Sequence, residues 1–95
     1  MLFHVTIAVR VPPDVDREKI NELREKEHTR AAELQRQGKW IHLWRIAGKW
    51  ANVSIFRVDD PAELHDILES LPLRPYMDVE VTALCQHPGA LIAVD

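Results

Sequence analysis

The period of the hydrophobic pattern changes along this chain in a set order, and few folds accept that order. Phe3, Val5, Ile7, Val9 and Val11 alternate with Leu2, His4, Thr6, Ala8 and Arg10, the period-2 pattern of a strand with one apolar face. Pro12-Pro13 ends it. From Asp16 to Gly38 the period lengthens. Ile20, Leu23, Ala31 and Leu34 fall on one helical stripe, with Asp14 or Asp16 able to cap the start and Gly38 to stop the end. Trp40–Ala47 and Trp50–Val58 flank Gly48-Lys49 and read as a β-hairpin. Asp60-Pro61-Ala62-Glu63 starts a second helix as N-cap, first-turn proline and capping-box glutamate. Leu64, Ile67, Leu68 and Leu71 form its buried stripe, and Pro72 ends it. Leu73–Tyr76 is a stiff loop, Met77–Leu84 alternates as a fourth strand, and His87-Pro88-Gly89 breaks that strand.

This βαββαβ order predicts an α+β, ferredoxin-like sandwich: a four-stranded antiparallel sheet with two helices on one face. The other face keeps tryptophan, histidine, arginine and aliphatic groups, so it is expected to oligomerise. Ninety-five residues suit one domain spanning 1–95. The tail from about residue 86 is apolar for a free end and is expected to contact a neighbouring subunit.

The first helix holds a conflict. At 100° per residue, Ile20, Leu23, Ala31 and Leu34 average to the direction of Glu27, so a carboxylate sits at the centre of the face to be buried. Burying a carboxylate costs energy unless it is paired or neutralised. Two readings are open. An apolar site can raise the Glu27 pKa toward neutrality, where a carboxylate exchanges protons. Alternatively, Glu27 snorkels out or pairs with a basic neighbour.

Composition removes several function classes. A net charge of −3 and a pI near 5.9 argue against nucleic acid as a partner. No apolar run approaches a membrane span, and the N-terminus has no signal-peptide pattern. The single cysteine, Cys85, allows no intrachain disulfide and points to a reducing cytoplasm; it reads as a small buried hydrophobe. The five histidines include no His-x-x-x-His pair and no Cys/His cluster, so a metal site is not expected. His28 points about 100° away from Glu27 and reads as a boundary residue. His65 reads as solvated and His87 as the acceptor or donor of a turn hydrogen bond.

The hairpin carries a longer signature. His42-Leu-Trp44-Arg45-Ile-Ala-Gly48, then Ala51-Asn52-x-Ser54-x-Phe56-x-Val58, resembles the muconolactone Δ-isomerase family. So do Leu71-Pro72-Leu73-x-Pro75-Tyr76-Met77-Asp78-x-Glu80-Val81, His87-Pro88 and the opening Met1-Leu2-Phe3-His4-Val5. The resemblance runs nearly end to end, short of the last few residues. It implies a cofactor-free isomerase of the β-ketoadipate route of aromatic catabolism. Such an enzyme converts (+)-muconolactone to 3-oxoadipate enol-lactone, and the family assembles as a decamer built from dimers. Glu27 falls on the position of the family's helix-1 base. A related branch dehalogenates 5-chloromuconolactone. A non-catalytic ferredoxin-like module that binds a small acid or serves assembly is the alternative from another class.

The reaction takes a proton from the ring carbon bearing the carboxymethyl group and returns it two carbons away, beside the lactone carbonyl. One carboxylate over one ring face can do both transfers. The dienolate between them needs donors aimed at its oxygen. Asn52 and Ser54 share one face of the third strand, and Trp40, His42 and Trp44 share one face of the second. Periodicity alone leaves open whether these faces or those of Ile41, Leu43, Val53 and Ile55 look toward the helices. The resemblance favours the former, since Asn52 and Ser54 belong to its motif. Tyr76 either reaches over the pocket mouth or packs on the end of helix two. For the substrate carboxylate, Arg45, His42, His4 and Lys26 remain open.

Overall fold

A computed structural model describes residues 1–92; Ala93–Asp95, the end of the apolar tail, lie outside the described residues. The elements are β1 (Leu2–Val9), α1 (Arg17–Arg36), β2 (Trp40–Arg45), β3 (Ala51–Arg57), α2 (Pro61–Glu69) and β4 (Met77–Leu84). A 3-10 turn at Arg74–Tyr76 leads into β4. The sheet order is β2-β3-β1-β4, with every neighbouring pair antiparallel. Both helices cover one face: Ala31 and Leu34 of α1 and Leu64, Ile67 and Leu68 of α2 join Phe3, Val5, Ile7 and Phe56 in one core. This is the α+β ferredoxin-like sandwich that the order of periods predicts.

Local chemistry fixes the joints. Asp16 caps α1 by accepting the Glu18 N–H at 3.1 Å. At the other end Gly38, with φ +73°, takes the left-handed position. The Gly38 N–H bonds the Gln35 carbonyl and the Lys39 N–H bonds the Leu34 carbonyl, which satisfies two terminal acceptors. Asp60 accepts the Glu63 N–H at 2.8 Å, while the Glu63 carboxylate reaches back one residue further than a standard capping box, to the Asp59 N–H. β1 ends at Val9 rather than Val11; the Arg10 N–H still bonds the Tyr76 carbonyl in line with the β1–β4 register, and Tyr76 there belongs to the 3-10 turn. Cys85, expected inside, is exposed just past β4, where the sheet has ended. Among the described residues no helix is long and apolar enough to cross a membrane.

One irregularity decides what each face of the hairpin carries. Trp40 pairs with Phe56, but the next partner of Ile55 is His42, so β2 holds one extra residue, Ile41, at a bulge. After the bulge Leu43 pairs with Ser54 and Arg45 with Asn52, while His42 and Trp44 pair with Ile55 and Val53. Directly opposite residues share a face. Trp40, Leu43 and Arg45 therefore join Asn52, Ser54 and Phe56 under the helices, and His42 and Trp44 turn to the far face.

Candidate active site

A cavity of about 320 Å³ opens between α1 and the sheet. Glu27, His28 and Ala31 line it from the helix; Ile7, Val9, Trp40, Leu43, Arg45, Ala51 and Asn52 line it from the sheet; Trp50, Leu73 and Met77 close its ends. Most of these groups are apolar, and the polar ones converge from opposite layers, the usual make-up of a small-molecule site.

Glu27 projects from α1 into this space and is partly buried. The backbone N–H of Leu73 donates to its Oε1 at 3.0 Å. Burial pushes its carboxyl above the ordinary carboxylate range, and it outweighs the Leu73 hydrogen bond and the nearby His28, which both favour the charged form. The open alternatives for this residue thus resolve. Half-buried, Glu27 joins no ion pair among the described residues; the Leu73 backbone N–H holds it beside a largely apolar cavity.

Across the cavity, Asn52 stands on β3. The Ser54 hydroxyl, fully buried, donates to Asn52 Oδ1 at 2.7 Å. That bond occupies the amide oxygen and turns the Nδ2–H₂ donors away from Ser54. Ser54 itself does not line the cavity; it orients the residue that does. Trp40 packs tilted on Phe56 with ring centroids 4.7 Å apart, and its buried Nε1–H has no hydrogen-bond partner among the described residues. The Arg24 guanidinium lies 5.0 Å over the Trp50 ring and braces that wall from outside.

The expectation of one shared face for Trp40, His42 and Trp44 is corrected here. The bulge leaves Trp40 in the cavity wall and carries His42 and Trp44 to the far face, with Trp44 68% exposed. Leu43 and Arg45 take the two vacated positions. Tyr76 does not line the cavity either; its backbone bonds Leu73 and Arg10, which ties the 3-10 turn to the end of β1. His28, read as a boundary residue, is exposed and borders the cavity. Trp50 was legible: it has the same strand parity as Asn52, Ser54 and Phe56. The bulge was not, because Ile41 carries neither glycine nor proline to mark it. Among the described residues no three His, Cys, Asp or Glu side chains are grouped to hold a metal ion.

The family model described as muconolactone delta-isomerase matches residues 1–90. The muconolactone delta-isomerase 2 of Acinetobacter lwoffii is 53% identical over 91 residues, covering 96% of this chain and 95% of its own. The muconolactone delta-isomerase of Pseudomonas aeruginosa is 48% identical over 95 residues, covering 100% and 99%. A crystal structure of a muconolactone isomerase superposes with a TM-score of 0.93 at 50% identity, covering 100% of this chain and 99% of that one.

Proposed function

Since this chain belongs to the muconolactone delta-isomerase family, we propose that Glu27 is the base with which it isomerises (+)-muconolactone to 3-oxoadipate enol-lactone. The observation that carries this is one carboxylate, raised in pKa by burial, facing an oriented amide across a cavity of about 320 Å³.

The proton to be removed is acidified because the resulting carbanion conjugates through the ring double bond to the lactone carbonyl. It remains a weak acid, so a carboxylate of ordinary pKa matches it poorly. Desolvation raises the basicity of Glu27 and narrows the mismatch. The Leu73 N–H occupies Oε1 and leaves Oε2 for the proton. A short swing over the same ring face returns that proton two carbons away. During the interval, negative charge resides on the lactone carbonyl oxygen. Asn52 Nδ2 is the donor aimed at it, held by Ser54 so that little reorganisation accompanies the charge shift. Ile7, Ala31, Leu43, Leu73 and Met77 exclude water, which strengthens both polar contacts. Conjugation to the carbonyl supplies the electron sink, so the step needs neither a metal nor another cofactor.

The same reading includes assembly. The far face of the sheet presents Trp44, 68% exposed, and Leu84, 40% exposed, beside His42 and Ile55. A homo-oligomer built from dimers covers this face, and the family likeness implies a decamer, with the tail from about residue 86 lying on a neighbouring subunit. The enzyme acts in the cytoplasm, in the β-ketoadipate route, on a small lactone, with neither nucleic acid nor membrane as partner.

The test is turnover in EDTA. Purified protein mixed with muconolactone and no added metal or nucleotide yields enol-lactone. Chloride release from 5-chloromuconolactone without that turnover assigns the chain to the dehalogenating branch instead. Inertness toward both lactones leaves a binding module.

A further inference from the structure

The carbon that loses its proton also determines where the substrate's charged arm goes. Resting on the isomerase reading above, we propose that Arg45 binds the carboxymethyl carboxylate of the substrate from the sheet side of the cavity.

The reacting carbon is tetrahedral. It carries one hydrogen and one carboxymethyl arm outside the ring, and these leave on opposite faces. Glu27 takes the hydrogen from the helix layer. The arm is thereby directed toward the sheet layer, where Arg45 and Asn52 are direct cross-strand partners on β2 and β3. His28, the other basic group at the cavity, stands on α1 beside Glu27. A carboxylate held by His28 would put the arm on the face from which the hydrogen is taken, and two carboxylates side by side.

The guanidinium is free for the task. Arg45 makes one hydrogen bond, from Nη1 to the Lys49 carbonyl at 3.1 Å, and no ion pair among the described residues. That bond pins it against the hairpin turn at Gly48, whose φ of +81° sets the turn. Nε and Nη2 stay open as the fork that matches a carboxylate. Arg45 is also exposed, at the rim, so the substrate's charge remains partly hydrated while the ring lies against Ile7, Leu73 and Met77. The other cations left open by the sequence are elsewhere. His42 and His4 pair with Ile55 on the far face, and Lys26 does not line the cavity.

The test uses the saturated lactone acid, which lacks the ring double bond and cannot isomerise, so that calorimetric titration reports binding alone. Arg45→Gln weakens its binding roughly ten- to hundredfold, the worth of a charge-assisted hydrogen-bonded pair. Arg45→Lys falls between, and His28→Gln loses less than Arg45→Gln. Wild type prefers the acid to its neutral amide, and Arg45→Gln does not. Should Arg45→Gln fail to fold, Arg45→Lys carries the test through a reduced preference for the acid. Equal affinity of wild type for acid and amide overturns the assignment, as does a greater loss at His28→Gln. Muconolactone turnover is measured alongside: no wild-type turnover brings down the isomerase reading, whereas turnover with an unchanged KM in Arg45→Gln brings down Arg45 alone.

Discussion

The Leu73 N–H and the Glu27 carboxylate meet at 3.0 Å across 46 positions of sequence. The bond joins the middle of α1 to the loop after α2, and it fixes one oxygen of the proposed base while leaving the other without a hydrogen bond among the described residues. Glutamine at this position keeps an oxygen for Leu73 and loses the basicity. Glu27→Gln is expected to retain its circular-dichroism spectrum and lose activity by about 10²- to 10⁴-fold, the range of general-base removal. Wild-type turnover by that variant would remove Glu27 from the mechanism.

The pH profile follows from the same carboxyl. Its pKa in the fold lies above the reference 4.5, with burial the largest cause. The acid limb of kcat/KM is therefore expected above the ordinary carboxylate range, and absent from any residual activity of Glu27→Gln. The stability effect has the opposite sense to that of a salt-bridged carboxylate. Between 4.5 and the raised value the folded state holds more protons than the unfolded one, so this group's contribution is full below 4.5 and is lost as pH rises through the folded pKa. Thermal melts of Glu27→Gln at neutral pH are expected to match or exceed wild type.

In the proposed mechanism Ser54 acts on the substrate only through Asn52, whose Oδ1 it bonds. Asn52→Ala removes the donor and is expected to lower kcat by about 10²- to 10³-fold. Ser54→Ala frees the amide to rotate, so kcat falls by less and KM stays near wild type. Steady-state kinetics on both variants separate the two roles; an equal loss of kcat in each would mean that Ser54 contacts the substrate itself.

Most of the architecture could be read from residue order, since strand and helix periods differ and the Asp60-Pro61 and Gly38 signals mark where one gives way to the other. Glu27 was visible as a charge at the centre of a stripe. The sequence could not say what satisfied it, because its partner is a main-chain N–H with no side-chain signature. The wall opposite was half legible. β3 keeps strict alternation, so Trp50, Asn52 and Ser54 follow from parity. β2 does not, and counting by twos from Trp40 sends His42 and Trp44 to the wrong side.

Phe56 is fully buried at the centre of the core and stacks on Trp40. Phe56→Ala is expected to cost about 3–5 kcal/mol, a large share of the 5–15 kcal/mol typical of a native protein. Urea denaturation measures it, and a cost below about 1 kcal/mol would mean that the site collapses to fill the gap.

Trp44 tests the far face. Trp44→Asp puts a charge where the proposed assembly excludes water and is expected to shift the protein to a smaller species in light scattering. An unchanged mass would place the subunit contacts on another surface.

The extra residue at Ile41 lets six residues of one strand answer to two masters. Its first position and its last line the cavity, and the side chains between them are shared out with the outside of the molecule. Were Ile41 instead paired with Ile55 in a regular ladder, everything downstream would rotate by half a turn: the aromatic and imidazole groups would swing inward, and the guanidinium would be lost to the exterior. Deleting Ile41 would straighten the strand and leave each later side chain on its present face, so it is the place of the surplus residue, not the count of residues after it, that keeps the cavity wall apart from the outer surface.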